Sequence, residues 1–232
     1  MKEPEENNPP NNAVAAGQAA SREQRQGSEF TAPLGTATSA RLIFASGASR
    51  ITIRSDPSMT DLYRARPERT VPTVRTREGT VTVQYPRFPP LLDWLYYLRE
   101  PPAEVALNAR IPWEIEIRDG ASRLIADLLG LELRSFELSG GASRVELALP
   151  TPSGTVPVRL LGGASNVAIH RPHGVAAQIR VGGGSTNLAF DEERFGAIGG
   201  EVSLHSPNYE GASDRYDFTI SGGASNVAID AR

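Results

Sequence analysis

No cysteine occurs in this sequence. That absence excludes disulfides, thiolate nucleophiles, iron–sulfur clusters and cysteine-type zinc sites. Histidine is scarce as well, at 3 residues, so few neutral-pH acid–base groups or metal ligands are on offer. No run of about 18 apolar residues appears, so no stretch reads as a helical membrane span. Neither sign of charge dominates: the net charge of −3 gives no global basic field, and nucleic acid is not an expected partner. The opening stretch, Met1 to Pro10, lacks a basic segment followed by an apolar one, so it does not read as a secretory signal. The expected location is therefore the cytoplasm, with a peripheral position at the inner membrane face left open.

What is present is a repeated phrase. Leu161-Gly162-Gly163-Ala164-Ser165-Asn166-Val167-Ala168-Ile169 returns almost unchanged as Ser221-Gly222-Gly223-Ala224-Ser225-Asn226-Val227-Ala228-Ile229. Looser copies begin at Gly47, Gly120, Gly140 and Gly183. A period near 21 residues is that of a repeat whose units stack. On both sides of each copy, apolar and polar residues alternate. Phe136 and Leu138 precede Gly140, and Val145, Leu147 and Leu149 follow; Val158 and Leu160 precede Gly162, and Val167 and Ile169 follow. Period-2 alternation places one face of each strand inward. No single unit buries that face alone, whereas stacked units share a core.

The phrase itself reads as a corner. Glycine accepts the positive φ of a tight bend, and the following Ala is small. Ser49, Ser122, Ser143, Ser165, Thr186 and Ser225 come next, and stacking would align their hydroxyls. Arg50, Arg123, Arg144, Asn166, Asn187 and Asn226 follow as an outward column. A phosphate-binding loop would end in Gly-Lys-Ser/Thr, which no copy does. A nucleophile elbow would carry Gly two residues after Ser, which is also missing. The fold expected is all-β: a short right-handed β-solenoid of about 21-residue, two-stranded rungs. Residues 1–37, polar and poor in large apolar side chains, read as a disordered tail. Residues 38–232 read as a single solenoid domain with one short helical or flap insertion at about 87–103.

That insertion breaks the pattern. Phe88-Pro89-Pro90-Leu91-Leu92-Asp93-Trp94-Leu95-Tyr96-Tyr97-Leu98 is the densest aromatic stretch of the chain, with prolines on both sides. Ten residues suffice for two or three helical turns, with Leu91, Trp94, Leu95 and Leu98 on one face. Either it caps the solenoid core, or it docks a partner through Leu91, Leu92, Trp94, Leu95, Tyr96, Tyr97 and Leu98.

Candidate chemistry is thin. His170 and His173 form an H-x-x-H pair in a turn, with only Asp191 and Glu192 as distant further ligands, and His205 stands alone. No metal site and no cofactor is expected. Asp191-Glu192-Glu193 reads as a solvated loop. Arg64, Arg66, Arg69, Arg75 and Arg77 read as an exposed strand face that resists edge-to-edge aggregation, with an anionic partner as the alternative. No Ser/His/Asp arrangement or acid–base pair stands out, so the chain is not expected to be an enzyme. A carbohydrate-active β-helix, which would align carboxylates outward, ranks last because the outward column here is Arg and Asn.

The order of these corners, together with Gly200-Glu201-Val202-Ser203-Leu204, Ser206-Pro207-Asn208-Tyr209 and Asp214-Arg215-Tyr216-Asp217-Phe218, resembles the bacterial toast-rack family over about residues 40 to 232. That group includes the C-terminal domain of LiaF-type envelope-stress regulators and adhesin-like domains. The resemblance implies a non-enzymatic interaction scaffold, often coupled to membrane or cell-wall stress sensing; the partner expected is a protein, with membrane association left open. The chain departs from LiaF-type proteins in lacking their N-terminal transmembrane helices. Self-assembly into a structural or adhesin-like solenoid is the alternative function, since unpaired end strands invite it.

Overall fold

The computed structural model describes residues 24–26, 29–67, 72–85 and 102–232. Every regular element among them is a β-strand. In chain order these are β1 (Gln24–Gln26), β2 (Glu29–Pro33), β3 (Ala40–Phe44), β4 (Ala48–Asp56), β5 (Asp61–Pro67), β6 (Thr73–Arg77), β7 (Thr80–Gln84), β8 (Pro102–Asn108), β9 (Pro112–Ile117) and β10 (Ala121–Asp127). The second half holds β11 (Glu132–Ser139), β12 (Ala142–Ala148), β13 (Thr155–Leu161), β14 (Ala164–Arg171), β15 (Ala176–Val181), β16 (Ser185–Phe190), β17 (Glu193–Ile198), β18 (Val202–His205), β19 (Arg215–Ser221) and β20 (Ala224–Ala231). They form an 11-stranded and a 9-stranded sheet.

Through the middle of the chain, successive strands alternate between the two sheets. A strand reaches its parallel neighbour only after crossing through the opposite sheet, so that strand serves as the crossover that parallel pairing demands. The spacing follows. Ala121 pairs with Ala142 and Ala142 with Ala164; Ile115 pairs with Phe136 and Phe136 with Val158. These partners lie 21 or 22 residues apart.

At both ends the stacking order departs from chain order. In the larger sheet the parallel strands run β8-β4-β10-β12-β14-β20-β16, and in the smaller one β7-β3-β9-β11-β13-β19-β15. The last unit, β19–β20, is thus wedged between β13–β14 and β15–β16. The copies at Gly162 and Gly183, neighbours in sequence, do not touch as rungs. The near-identical copies at 161–169 and 221–229 do, through Val167–Val227 and Ile169–Ile229.

The core lies between the sheets. Ile51, Leu124, Val145, Val167, Val227 and Leu188 occupy one register line of the larger sheet. Leu42, Ile115, Phe136, Val158, Phe218 and Ile179 occupy one of the smaller. All of them are buried in a single apolar cluster. Few polar groups are buried with it; among the described residues the Ser185 hydroxyl lacks a hydrogen-bond partner, while the larger polar groups are bonded. Trp113 donates its Nε1–H to the Asn108 carbonyl at 2.8 Å, Asn108 donates to the carbonyls of Met59 and Asp61, and the Tyr216 hydroxyl donates to the Pro150 carbonyl at 2.7 Å.

Two expected boundaries move. Residues 29–33, assigned above to the tail, form β2, which pairs antiparallel with β5 and buries Phe30 and Ala32. Two inward side chains suffice there because β5 supplies the hydrogen-bonding template for the edge. Pro102 and Ala103, assigned to the insertion, open β8. The rest of the insertion lies outside the described residues.

Candidate functional site

At the corners from Gly120 to Gly222, backbone hydrogen bonds between stacked copies carry the ladder through the glycines. Gly140 N–H donates to the Leu161 carbonyl at 2.8 Å and Gly162 N–H to the Ser221 carbonyl at 3.0 Å; Ala142 and Ala164 donate to the carbonyls of Gly163 and Gly223. Gly120 shows why glycine is required. It has φ +78°, and a Cβ there would lie 2.2 Å from the Gly141 carbonyl oxygen of the next corner.

Just past the corners, the outward column divides into two kinds of position. On β14, β16 and β20, Asn166, Asn187 and Asn226 sit in the left-handed region at φ 50°, 55° and 52°. Asparagine enters that region more readily than other side chains bearing a Cβ. These three stack as an amide ladder: Asn187 Nδ2 donates to Asn226 Oδ1 at 2.9 Å, Asn226 Nδ2 to Asn166 Oδ1 at 3.2 Å, and Asn166 Nδ2 to the Ser143 carbonyl. Beside them the Ser225 hydroxyl meets that of Ser165 at 3.2 Å. The sequence anticipated aligned hydroxyls and amides, but not the change of backbone conformation. On β4, β10 and β12 the same position is Arg50, Arg123 and Arg144, with Arg50 paired to Arg123 and Arg123 to Arg144 in register. None of these three forms an ion pair with a described residue.

The outer face of the smaller sheet contrasts with that column, because its charges neutralise one another. Arg41 bonds Glu116 at 2.6 Å and lies 3.8 Å from Glu114. Arg118 also bonds Glu116, and Arg159 faces Glu137. The Arg118 and Arg41 guanidiniums hold the Glu116 carboxyl below the ordinary range, outweighing its partial desolvation.

The other sequence-predicted groups are placed as follows. Arg64 and Arg66 bond Glu29, Arg77 reaches Glu78, and Arg75 stands exposed on edge strand β6. His170 and His173 do not converge on a metal-ligand set. His170 Nδ1 is 2.7 Å from Asp230 Oδ1 across the β14–β20 pair, and Arg232 also bonds that carboxylate. Among the described residues no group of three or more His, Asp or Glu is placed to hold an ion. Asp191, read as solvated, instead binds the buried Arg171 through two 2.7 Å bonds. Arg171 Nε donates further to the Val175 carbonyl, and its guanidinium lies over the Phe190 ring. That pair, with Arg171 buried and Asp191 half-buried, was missed; the apolar neighbours Ile169 and Phe190 flanking Arg171 and Asp191 were its only sequence trace. It borders an open pocket of about 410 Å³ that also touches His173, Glu192, Asn208 and Asp230. The docking residues Leu91, Leu92, Trp94, Leu95, Tyr96, Tyr97 and Leu98 lie outside the described residues.

Two sheets, parallel through their middle and linked corner to corner, with ladders of like side chains along the larger one, define an all-β repeat architecture. The family model described as the N-terminal domain of toast_rack, DUF2154, matches residues 21–170. The chain belongs to the toast-rack family. A crystal structure of a proposed cell adhesion protein from Clostridium sporogenes shares the fold at TM-score 0.67 and 14% identity, covering 91% of this chain and 100% of that one. No curated protein matches the sequence.

Proposed function

We infer that the protein is a non-enzymatic interaction scaffold of adhesin-like kind, which presents rigid sheet faces to a protein partner at the bacterial envelope. The observation that carries this reading is how the stack ends. At one end β5, β2 and β1 turn back antiparallel on β8, and β6 does so on β7. At the other, β17 and β18 turn back on β16 and β15. The turned-back strands carry charge, including Arg75, Arg77, Glu193 and Arg194. Such edges oppose end-to-end growth, which favours a discrete scaffold over a self-assembling fibre. The description of the Clostridium protein supports an adhesin-like role. The toast-rack domain of LiaF-type regulators supports a tie to envelope stress. The spacings of 21 and 22 residues are in keeping with a short right-handed solenoid.

Two measurements test the reading. Light scattering of the full chain at high concentration should give one discrete species; concentration-dependent growth would favour self-assembly. Pull-down from separated membrane and soluble fractions should recover a partner that is lost in a folded Trp94→Ser, Leu95→Ser variant. Recovery of the protein alone, unchanged by the variant, would refute the scaffold reading. Fractionation of native cells tests the cytoplasmic or inner-face location directly.

A further inference from the structure

We propose that the Arg50–Arg123–Arg144 column is a binding site for an acidic polysaccharide whose carboxylates recur along an extended chain. The three arginines stand in register on β4, β10 and β12. Neighbouring strands lie about 4.8 Å apart, so three like charges are held in a row. Like charges directly opposite across a sheet are destabilising. Arginines elsewhere on the sheets are neutralised: Arg41, Arg54, Arg64, Arg66, Arg118 and Arg159 each meet a carboxylate. Among the described residues no carboxylate pairs with the corner column, which leaves it open to an anion from outside.

The geometry narrows the anion. The column runs across the strands along the stack, so it suits a linear polymer rather than a compact ion. The spacing is close to the length of one pyranose unit. Each guanidinium fork matches a carboxylate with two parallel hydrogen bonds. The exposed hydroxyls of Ser122 and Ser143 border the column, and the Asn166–Asn226–Asn187 amides extend its line. Those groups both donate and accept hydrogen bonds, as sugar hydroxyls do, whereas a bare polyphosphate only accepts. Glu146 and Glu104 lie on the neighbouring outward register line, through Ile125 and Thr52; Glu104 is paired with Arg54, so Glu146 is the carboxylate that a ligand must tolerate. The proposal does not depend on a protein partner being found, because its test uses the purified chain and defined polymers.

The test is calorimetric titration of the full chain with polygalacturonate, alongside neutral dextran, inorganic polyphosphate and single-stranded poly(dT). Saturable binding of polygalacturonate alone is expected, weakening as salt rises. The triple variant R50Q/R123Q/R144Q should lose at least about tenfold in affinity, E146Q should bind more tightly, and R159Q on the other sheet should match wild type. Ligand-free R123Q should melt no lower than wild type, since it removes repulsion. Four results would each overturn the proposal: undiminished binding by the triple variant, no binding of polygalacturonate, equal binding of polyphosphate or poly(dT), or a lower melting temperature for R123Q.

Discussion

Replacing Asn226 separates the two contributions of the corner. Its side chain is the middle rung of the amide ladder, bonded at 2.9 Å to Asn187 and 3.2 Å to Asn166, and its φ is 52°. Asn226→Ala removes both side-chain bonds and leaves an alanine in the left-handed region. Exposed amide–amide bonds contribute about 0.5–1 kcal/mol each, and the left-handed conformation costs an ordinary L-residue about 1–2 kcal/mol. The sum is about 2–3 kcal/mol, after allowing that asparagine itself bears part of the conformational cost. For a chain of this size each kcal/mol moves the melting temperature by about 2–4 °C. Asn226→Gly loses the same two bonds but adopts the conformation freely, so it should be milder than the alanine variant by about 1 kcal/mol. Thermal melts of wild type and the two variants, followed by circular dichroism, give the ordering directly. The expected order is wild type, then Gly, then Ala. An alanine variant that melts at or above the glycine variant would refute the backbone argument. A glycine variant indistinguishable from wild type would refute the ladder.

Three further outcomes follow from the packing. Val167→Asp places a carboxylate in the middle of the core, where Val167 is 2% exposed; it should yield insoluble or unfolded protein, and a soluble variant with a wild-type melt would contradict the assigned face. Gly120→Ala drives a Cβ into the Gly141 carbonyl and should lower the melting temperature by more than Asn226→Ala, whereas Gly154→Ala, with open space around its Cβ, should suffer only the positive-φ cost. Glu116 has a carboxyl held below its ordinary value by Arg118 and Arg41, so its stabilising effect is present above the unfolded Glu range and is lost as pH falls through and below about 4. Melting across pH 7 to 3 should therefore show a smaller acid-side loss in Glu116→Gln than in wild type, and identical profiles would argue against the pairing.

Much of the local structure was legible because it is encoded locally. Alternation of apolar residues marks which face of a strand is inward, and the Gly-Gly-Ala-Ser phrase marks a bend that needs small residues and positive φ. The aligned Ser165 and Ser225 hydroxyls and the Asn column followed from stacking identical phrases. Which rung stacks on which was not local information. Parallel pairing depends on burial shared between strands as far apart as Ala48 and Ala121, or Ala164 and Ala224, and period-2 alternation is satisfied equally by many partners. A clue did exist: the two most similar phrases, at 161–169 and 221–229, are the ones in contact.

From sequence alone came an all-β repeat without thiol chemistry, with its corners placed and its inward residues named. Tertiary structure alone decided the wedging of β19–β20 between earlier units, the recruitment of residues 29–33 as an edge, and the burial of Arg171 against Asp191. It also decided that one arginine column forms no ion pair with a described residue, while Arg41, Arg118 and Arg159 on the smaller sheet each meet a carboxylate. Each of these depends on which distant strands become neighbours. A charge finds its partner across the sheet rather than along the chain, so the pairing appears only once the register is set.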